Sequence, residues 1–128
     1  MATLYGIHNC NKVRLALKWL KNAGVGYKFH DLRKDGLEYS TINSWIQRRD
    51  WQTFLNRRGL TWKRLSLEKQ QEVSKTNVAD FFRAQPTLIK RPVLDYEETL
   101  IIGFREESYS ALFYGQKIVL NNKKEKDI

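Results

Sequence analysis

The stretch "ATLYGIHNCNKVRLALKWLKNAGVGYKFHDLR", residues 2–33, decides the fold. Residues 2–7 are short, apolar and β-prone, and read as a strand. From 11 to 23 the pattern changes. Val13, Ala16, Leu17 and Leu20 recur at i, i+3, i+4 and i+7, which is one face of a helix. Gly24 then supplies a helix stop. Over 25–33, Val25, Tyr27 and Phe29 alternate with polar or small residues and predict a second strand. Strand, helix and strand in about thirty residues make a βαβ unit with a right-handed crossover.

Downstream, "KDG" at 34–36 is a turn, and 37–58 reads as helical. Ile42, Trp45 and Ile46 form one apolar stripe there; Trp51, Phe54 and Leu55 form another, with Asp50 as its cap. Gly59 breaks the pattern, and 67–75 is a polar helix with little to bury. Asn77 caps a helix over 78–84 whose apolar face is Val78, Phe81 and Phe82. After this the period shortens. Val93–Leu94 and Leu100–Ile102 read as two antiparallel strands around the acidic turn "DYEE", and 106–113 as a last helix. The order β α β, helical block, β β α is that of an α/β thioredoxin-like fold with an α-helical insertion. One domain spans 1–113, the insertion covers about 37–84, and 114–128 is a charged tail expected to fray.

Composition narrows the function. Hydrophobic residues make up 41% of the 128, enough for a packed core rather than a disordered chain. No apolar run approaches the ~20 residues of a membrane span. The start, "MATLYGIHNC", lacks a basic segment followed by an apolar one, which argues against a signal peptide. A single cysteine forms neither an internal disulfide nor a cysteine zinc site, and points to the cytoplasm. The net charge is +9, and 15 of the 23 basic residues fall in the first 75 positions against 6 of the 14 acidic ones. Such a field favours anionic partners. With no zinc-finger or ribonucleoprotein signature, direct nucleic-acid binding is not expected.

Cys10 stands where the first strand ends and the first helix begins. The first N–H groups of a helix lack intrahelical partners, and its dipole favours negative charge there. A thiolate at such a place is stabilised, and the thiolate is the form that attacks disulfides. The neighbours His8, Asn9 and Asn11 are polar, and Arg14 lies one helical turn on. A histidine in a loop, such as His8, is by default solvated; His30 is a weaker candidate still. Pro92 leads a strand, where its missing N–H is tolerated. Arg57, Arg58, Arg91 and Arg105 would form an anion-binding rim if the fold brings them to Cys10, because guanidinium matches carboxylates bidentately.

The segments "LYGIHNCNKVRLALKWL", "FHDLRKDG", "LNRRGLTW", "LIKRPVL" and "GFREESY", in this order and spacing, resemble the arsenate reductase (ArsC)-like family. The resemblance is closer to its YffB-type branch, which is related to Spx regulators. It runs from about residue 3 to residue 113. It implies a nucleophilic cysteine at Cys10, a cis proline at Pro92 and anion-binding arginines at Arg91 and Arg105. It further implies glutathione-dependent thiol–disulfide reduction, with glutathione as co-substrate and no bound cofactor or metal. Asn9, Arg14, Arg57 and Arg58 are further candidates to bind glutathione or a small anion. The alternative is an Spx-like module that contacts RNA polymerase. Two positions depart from the pattern. The third arginine of arsenate reductases falls on Asn56, and the second cysteine of the Spx Cys-x-x-Cys switch falls on Val13.

Overall fold

The computed structural model describes residues 1–115, and the greater part of the expected tail, 116–128, lies outside the described residues. Strand β1 (Ala2–Gly6) leads through Cys10 into helix α1 (Asn11–Asn22), then β2 (Tyr27–Asp31). Helices α2 (Tyr39–Arg48), α3 (Leu60–Arg64), α4 (Leu67–Glu72) and α5 (Val78–Ala84) follow. Strands β3 (Val93–Tyr96) and β4 (Thr99–Ile102) complete the sheet, and helix α6 covers 106–115. The strand order is β2-β1-β3-β4, with β1 parallel to β2 and antiparallel to β3, and β3 antiparallel to β4. This is the predicted thioredoxin-like α/β arrangement. Its consequence is geometric: the end of β1, the start of β3 and the end of β4 meet at one end of the sheet, because Tyr5 pairs with Val93 and Val93 with Ile102.

Period-2 alternation sends side chains to two separate cores. Leu4, Leu94 and Ile101 face α1 and α6, where they meet Ala16, Leu20 and Tyr109. Tyr5, Val93, Leu100 and Ile102 face the inserted helices, where Ile42, Trp45, Phe54 and Phe82 are fully buried. Trp45 stacks on Phe54 with centroids 5.5 Å apart and meets Tyr5 edge-on at 5.0 Å. A bidentate ion pair adds a polar tie between insertion and sheet: Arg48 donates to both oxygens of Asp95 at 3.0 and 2.9 Å. That bond raises the Arg48 pKa from its ordinary value.

Several boundaries differ from the sequence reading. The two stripes read over 37–58 are separated at Arg49, which is extended and donates from Nη1 to the Leu100 carbonyl at 2.9 Å. Asp50 then caps a short 3-10 turn, Trp51–Phe54, by accepting from the Gln52 N–H at 2.9 Å. Asn77 does precede α5, but its side chain turns backward, accepting from Ser74 N–H and donating to the Glu72 carbonyl. The first hairpin strand runs two residues further, to Tyr96, and the second begins one residue earlier, at Thr99, with Glu97 at φ 53° in the tight turn. Tyr114, expected to begin the tail, packs on the Trp19 ring at 5.6 Å and donates to the Ala23 carbonyl.

Gly6 closes β1 directly beneath α1. A Cβ there would lie 2.8 Å from Val13 Cγ2 and 3.0 Å from Cγ1. Val13 is buried and β-branched, so it has no alternative rotamer to retreat into. Gly6→Ala is therefore expected to cost about 1–3 kcal/mol, read by urea unfolding, and to displace the start of α1 with Cys10.

The turn after β2 is fixed by Asp31. Its Oδ1 accepts from the N–H groups of Arg33 and Lys34, each at 2.9 Å. The Lys34 N–H is the largest cause holding the carboxyl below its ordinary 3.8; the Arg33 N–H and His8 add to it, against burial that pushes the other way. A depressed carboxylate contributes stability above its unfolded pKa, and that contribution disappears as pH falls through the folded value. Asp31→Asn is expected to cost about 1 kcal/mol at neutral pH. The gap to wild type should narrow below pH 3.8 in parallel unfolding titrations.

Candidate active site

Cys10 occupies the N-cap position of α1 with extended backbone, φ −129° and ψ 122°, and its carbonyl accepts from Arg14 N–H at 3.0 Å. Its side chain is half-buried and makes no capping bond. No acidic residue lies in the first turn of α1, so nothing within the helix offsets its positive end.

Cys10 opens onto a cleft of about 830 Å³, within the usual size range of small-molecule sites. Its apolar lining is Leu55, Ile102 and Phe104. Apart from Asn56 and Gly103 the rest is cationic: Lys12, Arg57, Arg58, Lys90, Arg91 and Arg105 line it, and among the described residues no acidic side chain does. The fold therefore brings all four arginines of the anticipated rim to the cysteine. Each arrives by a different route. Arg105 follows β4, and Arg91 precedes β3 across a cis peptide bond to Pro92. Arg57 and Arg58 come from the insertion, which is docked on the segment before β3. Asn56 N–H donates to the Leu88 carbonyl and Lys90 N–H to the Phe54 carbonyl, both at 2.7 Å, around a Leu55–Ile89 bridge.

Arg91 is the most constrained of these cations. Its Nη1 donates to the carbonyls of Thr87 and Ile89 at 3.1 and 2.9 Å, while its Nε is buried and has no partner among the described residues. A buried unpaired donor costs about 1–3 kcal/mol until an acceptor arrives. Arg57 is held loosely, by Gln52 Oε1 at 3.3 Å and by the face of Trp62.

Other candidates lie elsewhere. Arg14 does not line the cleft: it turns back on the preceding loop and donates to the His8 carbonyl at 3.3 Å and to Asn11 Oδ1 at 3.5 Å. Asn9 is exposed and also outside the lining. His8 points away, toward Phe29 and Asp31, with Nε2 3.7 Å from the Asp31 carboxylate. His30 is structural, bonded to the Gly36 carbonyl at 2.7 Å and packed on Tyr5. Sequence reasoning overlooked Lys12 and Lys90. Each carried a signal, being two residues after the cysteine and next to the Arg-Pro pair. Among the described residues there is no group of histidine, cysteine and carboxylate side chains able to hold a metal ion. In the same residues, no helix is long and apolar enough to cross a membrane.

The chain is similar to known proteins. An uncharacterized protein from Haemophilus influenzae is 37% identical over 113 residues, covering 88% of this chain and 99% of that one. The solved structure of a YffB protein superposes with a TM-score of 0.82 at 33% identity, covering 87% of this chain and 97% of the other. The global transcriptional regulator Spx of Lactiplantibacillus plantarum is 24% identical over 109 residues, 84% of this chain and 82% of its own. The ArsC family profile matches residues 5–112. With its cysteine, its cis Arg91–Pro92 bond and its thioredoxin-like sheet, the chain belongs to the ArsC family and carries the arsenate-reductase-like fold of a thiol oxidoreductase.

Proposed function

We propose that the protein is a glutathione-dependent monothiol oxidoreductase. One observation carries this reading: the chain's sole cysteine opens, at a helix start, onto a cleft that the described residues line with six cations and no acid. The Cys10 thiolate attacks the glutathionyl sulfur of a mixed disulfide, releases the other thiol, and becomes glutathionylated. A second glutathione thiolate attacks that adduct, returning Cys10 as thiolate and leaving as glutathione disulfide. Arg91 and Arg105, helped by Arg57 or Arg58, bind the carboxylates. Main-chain groups beside Pro92 pair with the tripeptide backbone.

Arsenate is a poorer fit. Asn56 lines the cleft where arsenate reductases carry their third arginine, and an amide supplies no charge to a multiply charged oxyanion. The Spx-like reading is also weaker here, since the second cysteine of its switch falls on Val13, a buried residue that carries no thiol. The test compares turnover of a glutathionylated peptide with turnover of arsenate, each at several glutathione concentrations. Disulfide reduction should rise with glutathione and exceed arsenate reduction by about 10-fold or more in kcat/KM. Faster arsenate turnover would overturn this assignment.

A further inference from the structure

Much of the cleft's charge has no role in the chemistry above. Glutathione has two carboxylates, and Arg91 and Arg105 provide one guanidinium for each. With Arg57 as their helper, Lys12, Arg58 and Lys90 are then in excess. All three are exposed, and among the described residues none has a side-chain hydrogen bond or ion pair within the chain. What sets them apart is their grouping: six cations line one cleft, and among the described residues no acidic side chain lines it with them. Unneutralised like charges around one cavity repel one another, and an anionic ligand removes that repulsion.

These cations come from separate pieces of chain. Lys12 sits on α1 beside Cys10, Arg58 on the insertion, and Lys90 on the segment that leads to β3. Thiol–disulfide exchange proceeds by attack of a thiolate on one sulfur of the disulfide. The three sulfurs align in that displacement, so the two halves of the substrate extend in opposite directions from the attacked sulfur. A single positive patch would serve one half; cations from several directions serve both.

The geometry points to a leaving thiol that is itself anionic: the cleft selects disulfides with carboxylates on both halves, and Lys12, Arg58 and Lys90 recognise the half that departs. This rests on the thiol-exchange reading given above. In the step, the Cys10 Sγ–glutathionyl bond forms as the original disulfide bond breaks. The electron pair leaves with the other sulfur, which then takes a proton from water. Cys10 is oxidised and the departing thiol reduced, and glutathione afterwards reduces the adduct. The departing thiol is a small carboxylate-bearing thiol or a peptide cysteine flanked by acidic residues; both present carboxylates close to the sulfur.

The experiment uses four disulfides of glutathione, with glutathione, a glutamate-flanked cysteine peptide, mercaptoethanol or cysteamine as the second half. Each rate constant with the protein is divided by that with free glutathione, which removes differences in leaving-group chemistry. One or both anionic substrates should exceed the cysteamine adduct by about 10-fold to 1,000-fold, and the preference should collapse at ~1 M salt, where screening acts within ~3 Å. Combining Lys12→Gln, Arg58→Gln and Lys90→Gln should compress the ratio by about 10-fold, with an unchanged melting curve because all three side chains are exposed. A preference for glutathione disulfide over the peptide assigns the small thiol, and the reverse assigns the peptide; either supports the proposal. Equal, salt-insensitive rates for all four overturn charge selection while thiol exchange stands. No reaction with any of them overturns thiol exchange itself.

Discussion

Cys10→Ser is expected to lower thiol–disulfide exchange by about three orders of magnitude or more while leaving the fold intact. Serine matches the cysteine in shape, but its hydroxyl is not ionised at neutral pH and cannot form a disulfide with the substrate. Cys10 is half-buried, and its side chain makes no capping hydrogen bond, so little stability depends on the sulfur. The variant should therefore unfold within about 0.5 kcal/mol of wild type. Turnover and a urea titration on the same preparation separate the two effects. Retained exchange in the serine variant would remove the chemistry from this residue altogether, since the chain has no second cysteine.

Arg91→Ala is expected to raise KM for a glutathionylated substrate by about 100-fold, with a smaller change in kcat. Its guanidinium is oriented before any ligand arrives, because Nη1 is committed to the carbonyls of Thr87 and Ile89. A carboxylate held there is bound in ground and transition states alike, which is why the loss falls on KM. Arg91→Lys should recover less than about 10-fold of it, because an ammonium cannot hold two carbonyls and still offer a planar fork. Both variants should also lose about 1 kcal/mol of stability as those carbonyls lose a charged donor. A KM that stays at the wild-type value in both would exclude Arg91 from substrate binding.

The fold was legible where burial is periodic and local. Val13, Ala16 and Leu20 mark the buried face of α1, and all three are fully buried. Gly24 stops the helix at φ +71°, a backbone conformation that glycine adopts without strain. Ile42 and Trp45 mark α2 in the same way. Where long-range contacts override local pattern, the reading fell short. The seating of 54–56 depends on 88–90, which is not near in sequence. The short 3-10 turn Pro86–Leu88 went unread for that reason.

The site shows the same division. Cys10 at a helix start is a local feature, and the sequence displays it directly. That Arg57, Arg58, Arg91 and Arg105 share its cleft is a product of topology, expected from the sequence only on condition that the fold joined them. His8 is exposed, as expected of a loop histidine, and Arg14 is exposed outside the cleft. The orientation of each is decided by a nearby acceptor, the Asp31 carboxylate for His8 and the His8 carbonyl for Arg14.

The most direct test of the central claim is the intact mass of the protein after incubation with glutathione disulfide at neutral pH, for wild type and Cys10→Ser. One glutathione adduct on the wild type, removed by added glutathione and missing from the serine variant, is the predicted result. An unmodified wild-type mass would contradict the account, because it would mean that the cysteine facing this cationic cleft does not exchange with the disulfide the cleft is proposed to bind.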